Sequence, residues 1–566
     1  MRRSYRILLL AILPLLFVGA WLWWFRPKIV DMATYAPADS LLYLESNRPT
    51  EVVDAVTGTQ AWKSFASAIQ SPPARAQSHW LQGLIGWTGI GPIKSVIFAR
   101  AQVAVVVTDL RAVEEGDSLN IKSEGALLIE THTSERRIRA AFEETIKELA
   151  EKTYGHPNSR RVTVEGVEYS EWIAPEGTRQ IVGTVYGSLV IIGTSERVVQ
   201  DCLAVSQGRR PSLKDDPELR AMRVRLEKAG SLTFGYVPTA NSAKLLAVGL
   251  PLLLGRAPGD SEFQRLIAKG ASRVFGSLGW TSRPYLTGIE DQYLISLQPS
   301  IIARLTPAFA ANNIHSQIEK TLPDNVYSVT SYNFANPAAA WVSLKTAVSS
   351  EVDALSTIVF SSLLKSALLS YGIDDPELFL SAVKGEILTI RLDESAERSM
   401  LIAGVRDRAA LRQLLLKGMS VNLKDDQKLE IFEDQHGDFA ASLSDEFIVI
   451  GSPADVRHYS SLRDAAKPMS VETIRKMTFF RSSPASGTVV TYTDDGDRVR
   501  NFISAILLAK DGPTQTPERL DEAIATLPYS STETTLGERG LERTTRSPLG
   551  QFSTLVPLLF PQQPGR

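Results

Sequence analysis

The chain has 566 residues, 44% of them hydrophobic and 22% charged, a composition that folds and a length beyond what one core sustains. Its net charge of −2 offers no basic footprint for nucleic acid. One cysteine, Cys202, excludes an internal disulfide and a cysteine-built zinc cage.

From the start of the chain, Arg2, Arg3, Arg6, Arg26 and Lys28 stand among residues 1–28 without any acid, so the remainder is mildly acidic. Residues 7–25, ILLLAILPLLFVGAWLWWF, carry no charge. As a helix this run would span roughly 28 Å, about the hydrocarbon thickness of a bilayer. Trp21, Trp23 and Trp24 sit at its far end, where such rings favour the interface. The expectation is an N-terminal membrane anchor over 1–28, contacting the membrane through residues 7–25. The alternative is a signal peptide cleaved after Val18-Gly19-Ala20. Either way the body is expected to be exported. The charge bias across the run places the N-terminus in the cytoplasm and the body in the periplasm, as in a single-pass cell-membrane protein.

Beyond residue 28, short β-rich runs alternate with turn residues. QVAVVVTDL (102–110), EGALLIE (124–130), RVTVEGVEYSEW (161–172) and GEILTIRL (385–392) read as strands. RRIRAAFEETIKELAEK (136–152) has helical spacing, with Ile138, Phe142, Ile146 and Leu149 on one face. LVIIGTSERV (189–198) reads as a strand, a tight glycine turn at Gly193 and a capped helix. Cys202 follows in an apolar helix and reads as a small buried hydrophobe.

The chain then repeats itself. FIVIGSPADV (447–456) matches LVIIGTSERV at an offset of 258. LLYLESNRPTEVVDAV (41–56) resembles VYSVTSYNFANPAAAW (326–341), and ALLIETHTSERRIRAAF (126–142) resembles SMLIAGVRDRAALRQLL (399–415). TGIGPIKSVIF (88–98) resembles YGIDDPELFL (371–380), and GIEDQYLISLQPSIIARLTPAF (288–309) resembles GLERTTRSPLGQFSTLVPLLF (540–560). The order is collinear while the offset falls from about 286 to 252. The expected fold class is α+β: an N-terminal transmembrane helix, then two homologous tandem domains (29–315 and 316–566) with mainly antiparallel sheets and packed helices.

The repeat disarms the glycine turn as a phosphate site, because both copies lack G-x-G-x-x-G and G-x-x-x-x-G-K-[ST]. Six histidines form no H-x-x-x-H pair. Glu433, Asp434, His436 and Asp438 are the densest polar group, but the equivalent IAPEGTRQI, with Gly177 opposite Gly437, lacks them, so both read as hairpin turns. Ser362 and Lys365 have the S-x-x-K spacing of penicillin-recognising enzymes, and Ser420-Val421-Asn422 stands where a second motif would, without a following K-T-G. The apolar host segment explains that pattern as packing. AKLLAVGLPLLLG (243–255) and NFISAILLAK (501–510) read as core helices, or else as the lining of a lipid groove.

The apolar N-terminus, the PADSLLYLES strand, the LVIIG and FIVIG turns and the C-terminal RSPLG resemble an uncharacterised family of bacterial membrane-anchored envelope proteins, a domain of unknown function. That resemblance implies a single-pass protein with an extracytoplasmic body, and brings no catalytic residues. No catalytic, cofactor-binding or metal residues are assigned, and no cofactor is expected. The expected function is a non-catalytic, membrane-tethered binding or scaffold protein of the envelope, contacting an envelope protein or lipid and no nucleic acid. The alternatives are a lipid or hydrophobic-ligand carrier, and a serine hydrolase using Ser362 and Lys365.

Overall fold

The computed structural model describes residues 29–68, 101–115, 118–164, 166–177, 179–253, 261–309, 322–323, 326–422, 429–464, 469–480, 487–508 and 518–559. In the first half of the chain the strands are β1 (Leu42–Ser46), β2 (Gln102–Glu115), β3 (Ser118–Glu130), β4 (Asn158–Val164), β5 (Val167–Ile173), β6 (Gln180–Tyr186), β7 (Leu189–Gly193), β8 (Thr233–Val237), β9 (Phe275–Tyr285) and β10 (Gly288–Leu297). The second half supplies β11 (Ser328–Asn333), β12 (Val383–Arg391), β13 (Ser399–Val405), β14 (Met419–Asn422), β15 (Glu430–Asp434), β16 (Ala440–Leu443), β17 (Phe447–Gly451), β18 (Val489–Thr493), β19 (Ser530–Gly537) and β20 (Gly540–Ser547).

Every described strand pairing is antiparallel, and together they give the spatial order 4-5-6-7-3-2-1-8-9-10 followed by 20-19-18-11-12-13-17-16-15-14. The second series retraces the first, strand for strand, from the middle outward. Registers repeat as well. Tyr43 opposes Tyr236 in one half, and Val329 opposes Tyr492 in the other. Ala126 faces Gly193, and Met400 faces Gly451. The seam between halves is the β10–β20 pair, where Ile289 opposes Ser547 and Ile295 opposes Leu541. Residues 289 and 541, like 295 and 547, differ by 252, so the seam is a pseudo-twofold axis passing through the facing pair Gln292 and Thr544.

The connections hold the helices. In the first half, α1 (Pro49–Gly58) and α2 (Gln60–Ala68) follow β1, α3 (Glu135–Tyr154) follows β3, and α4 (Glu196–Ser206) and α5 (Pro217–Leu226) follow β7. Then α6 (Thr239–Leu253) and α7 (Ser261–Val274) follow β8, and α8 (Pro299–Leu305) follows β10. In the second half, α9 (Pro337–Glu351), α10 (Ala354–Leu369) and α11 (Pro376–Ala382) follow β11, α12 (Arg408–Leu415) follows β13, and α13 (Pro453–Asp464) and α14 (Val471–Thr478) follow β17. Next, α15 (Gly496–Leu508) and α16 (Glu518–Ala525) follow β18, and α17 (Phe552–Leu559) follows β20. Several helices start alike: Asp216, Asn336 and Asp375 cap α5, α9 and α11 with a side-chain oxygen, and a proline takes the next position. The cap supplies an acceptor to an unpaired N–H, and proline has none to lose there.

Side chains alternate across the sheet. On one face, Tyr43, Val106, Leu128, Ile191 and Tyr236 pack under α4 and α5, with Cys202 fully buried among them. On the same face of the other half, Val329, Leu388, Ile402 and Tyr492 pack with Val456 and Tyr459 of α13 and Met477 of α14. The opposite face is packed reciprocally. Trp62 and Phe65 of α2 share one core with Phe502, Ile503, Leu520 and Ile524 of α15 and α16. In return, Val274 and Ile301 from the first half share a core with Ala347 and Val348 of α9. Each half thus buries apolar surface on helices of the other.

Two expectations need correction. Among the described residues no helix is long and apolar enough to cross a membrane. The longest of those packed on the body, α3, is amphipathic, with Ile138, Phe142 and Ile146 buried and a charged outer face. The apolar α6 is 15 residues long and packs Ala243 and Ala247 into the body. The transmembrane helix of the expected fold, the single-pass assignment and the cell-membrane location with a periplasmic body are therefore not supported. The run 7–25 on which they rested lies outside the described residues. Nor do the halves carry separate sheets, because β10 and β20 fuse them into one.

Gly193 also differs from its expected role. It is the last residue of β7 and adopts no left-handed conformation. A Cβ there would lie 2.7 Å from Val199 Cγ2, and one on Gly451 would lie 2.8 Å from Met400 Cγ. Both glycines let a neighbouring side chain close on the strand end. Ser195 Oγ accepts from Val198 N, and Ser452 Oγ accepts from Asp455 N, so the helices that follow are capped as expected.

Candidate functional site

The pseudo-twofold axis organises the charged centre of the molecule. On one face of β10, Glu290 is buried and accepts from Arg283 Nε at 2.7 Å, Arg546 Nε at 2.9 Å and Gln292 Nε2 at 3.0 Å. Arg546 also pairs with Glu533 at 3.4 Å, joining β9, β10, β20 and β19 in one ionic ladder. The residue related to Glu290 by the 252 offset is Glu542, which pairs with Arg225 of α5. Two arginines on a buried carboxylate meet the condition under which a desolvated ion pair holds together. On the other face, Asp291 is buried and accepts from Trp280 Nε1 at 3.1 Å and from the backbone N of Gln551 at 3.0 Å. Burial pushes its carboxyl up to about 7.

Two clefts open at opposite ends of this central pair. The first, about 540 Å³, lies between α5, the ends of β9 and β10, α8 and the β19–β20 turn. Met222, Leu294, Leu297 and Ile302 give it apolar walls. Glu218, Arg225, Ser277, Ser296, Glu538 and Arg539 give it polar ones. The second, about 240 Å³, lies between α14, α2, the β9–β10 turn, the end of β20 and the segment after α16. Its lining includes Phe479, Phe480, Arg475, Lys476, Leu527 and Pro548. These clefts correspond by the internal symmetry. Arg539 in the first and Thr287 in the second are equivalent turn residues, and Ser296 near the end of β10 corresponds to Pro548 just past β20, both at the 252 offset. The places match while the chemistry differs: mixed charge in the first, aromatic and basic groups in the second.

The sequence candidates lie elsewhere. Ser362 and Lys365 are exposed on α10, with neither bonded to the other. The FEDQHGDF stretch is the β15–β16 hairpin, with Gly437 at φ +76° and Asp434 Oδ1 accepting from Phe439 N. Its counterpart turn has Gly177 at φ +75°. Among the described residues no group of three or more His, Cys, Asp or Glu is placed to hold a metal ion. Burial pushes the Cys202 thiol up to about 12, so it is no nucleophile. In α15, the described side chains Phe502 and Ile503 are core; side chains 248–255 and 505–510 lie outside what is described. The clefts themselves were missed, because residues as distant as Glu218, Ser296 and Arg539 meet there without a motif.

No family model matches the chain, and no curated protein matches it. Among solved structures, one titled "Structure of crystal form I of TP0453" matches at 12% identity, over 43% of this chain and 96% of that one, with a TM-score of 0.22. Overlap at that level carries no argument about this chain.

Proposed function

We propose that the protein is a non-catalytic binding or scaffold protein and that, in keeping with the resemblance carried by PADSLLYLES, LVIIG and FIVIG, it serves the bacterial envelope. The observation that carries the reading is the pair of symmetry-related clefts at the two ends of the β10–β20 seam. Duplication made the two places equivalent, and their linings have since diverged, which suits two unlike contacts on one rigid frame. The first cleft falls within the size range of ligand sites. Its lining includes a hydroxyl–carboxylate contact, Thr239 Oγ1 donating to Glu218 Oε2 at 2.5 Å, which joins the start of α6 to α5.

The test is a photo-crosslinking amino acid placed at Arg539 and, separately, at Arg475, with a control at exposed Lys228, in cells that make the protein. Defined adducts at the two cleft positions and none at the control support the reading. Identical patterns at all three, or none anywhere, refute it.

A further inference from the structure

We infer that the second cleft and the outer face of α14 form a docking surface for a short peptide segment of a partner protein, one carrying a bulky apolar side chain beside a carboxylate. This deepens the binding reading and rests on it. A surface helix ordinarily buries one apolar stripe. In α14 the buried stripe is Thr473 and Met477, continued by Phe480 beyond the helix end. A second apolar stripe faces outward: Val471 is 83% exposed, Ile474 is 38% exposed and Phe479, just past the helix, is 46% exposed. Fold stability does not require it. The equivalent helix α5 exposes Glu218 and Arg220, keeps Arg225 half-buried against Glu542, and has Val224, 86% exposed, as its one large exposed apolar side chain. The duplication is thus an internal control, and the α14 face has diverged toward apolarity.

The neighbouring hairpin tip adds to the same patch. Leu286, next to Thr287 of the cleft, is 77% exposed and held at φ +47°. A leucine in the left-handed region costs backbone energy, and its exposure returns nothing to the isolated chain. Charge selects the occupant. The described lining of the cleft includes Arg475 and Lys476 and no acidic side chain. Lys476 Nζ is engaged, donating to Ala525 O at 2.7 Å above the Tyr529 ring. Arg475 stands at the rim, 3.7 Å from exposed Glu472, where a partner carboxylate can reach it. At about 240 Å³ the cleft is too small for a whole cofactor and suits a side chain against Phe479 and Phe480. The rest of the segment lies along Val471 and Ile474, an aromatic anchor with an apolar flank being the usual make-up of an interface centre.

The test is selection of random linear peptides on the full chain, with affinities of the enriched peptides measured by fluorescence anisotropy. The expected peptides place Phe, Leu, Trp or Met next to Asp or Glu. Phe479→Ala, at an exposed position, weakens them by at least about tenfold, and Arg475→Glu turns the selection toward Lys and Arg flanks. Unchanged unfolding midpoints in both variants establish that the fold is intact. Absence of enrichment, peptides without acidic preference, or equal binding to both variants overturns the inference. Peptides weakened by Arg539→Ala instead overturn it too, yet leave the protein a binding protein acting through its first cleft.

Discussion

The shared core of α2, α15 and α16 predicts that the two halves unfold as one. Phe502, in the second half, is fully buried and meets Trp62, in the first, edge to face with ring centroids 6.2 Å apart. Truncating a buried phenylalanine to alanine costs roughly 3–5 kcal/mol from lost transfer energy and the cavity left behind. Of that, about 0.5–1.5 kcal/mol belongs to the aromatic pair itself and should appear as coupling in a Trp62→Ala/Phe502→Ala double-mutant cycle. Chemical denaturation with amide hydrogen exchange resolved along the chain is the assay. Phe502→Ala should lower protection of the slowest amides in β1–β3 and β8–β10 as much as in β11–β13. A loss confined to residues after 322 would mean that the halves fold independently and would refute the reciprocal core.

Three further outcomes follow from single sites. Asp291 keeps its proton in the folded state up to about 7, whereas the unfolded chain loses it near pH 4; this group therefore makes the fold less stable as pH rises from about 4 to about 7, with no further change above. The full effect is on the order of 4 kcal/mol, so Asp291→Asn should flatten that part of the stability–pH profile measured by urea unfolding. Gly451→Ala should cost about 1–3 kcal/mol by overpacking against Met400, read as a lower thermal midpoint, and no loss would mean the strand end has room. Cys202 should resist a thiol reagent in the native protein and react at the rate of global unfolding; fast labelling would contradict its burial.

Much of the strand content was legible because the β-branched runs are contiguous. LVIIG and FIVIG each form one strand with the same partner register, and RVTVEGVEYSEW falls within a hairpin turning at Gly166, φ +79°. The falling offset between similar segments reappears as matched registers, 286 between Tyr43 and Val329 and 252 across β10 and β20. What pattern could not show is which edges meet. Glu290 and Arg546 lie 256 positions apart, and nothing local records that they pair. Hydropathy stops short for a related reason: it marks Phe502 and Trp62 as core candidates, but only the fold says that each is buried by the other half. Function was the least legible level, since the exposed apolar stripe of α14 reads in sequence like an ordinary short helix and becomes unusual only beside its polar counterpart α5.

The most direct test of the binding reading is native mass spectrometry of the full chain, isolated gently from cells that make it, beside its Arg539→Ala and Phe479→Ala variants. The account predicts a defined non-covalent increment that at least one of the two cleft variants loses while its fold persists. An increment retained by both variants, or a bound molecule released chemically altered, would contradict it.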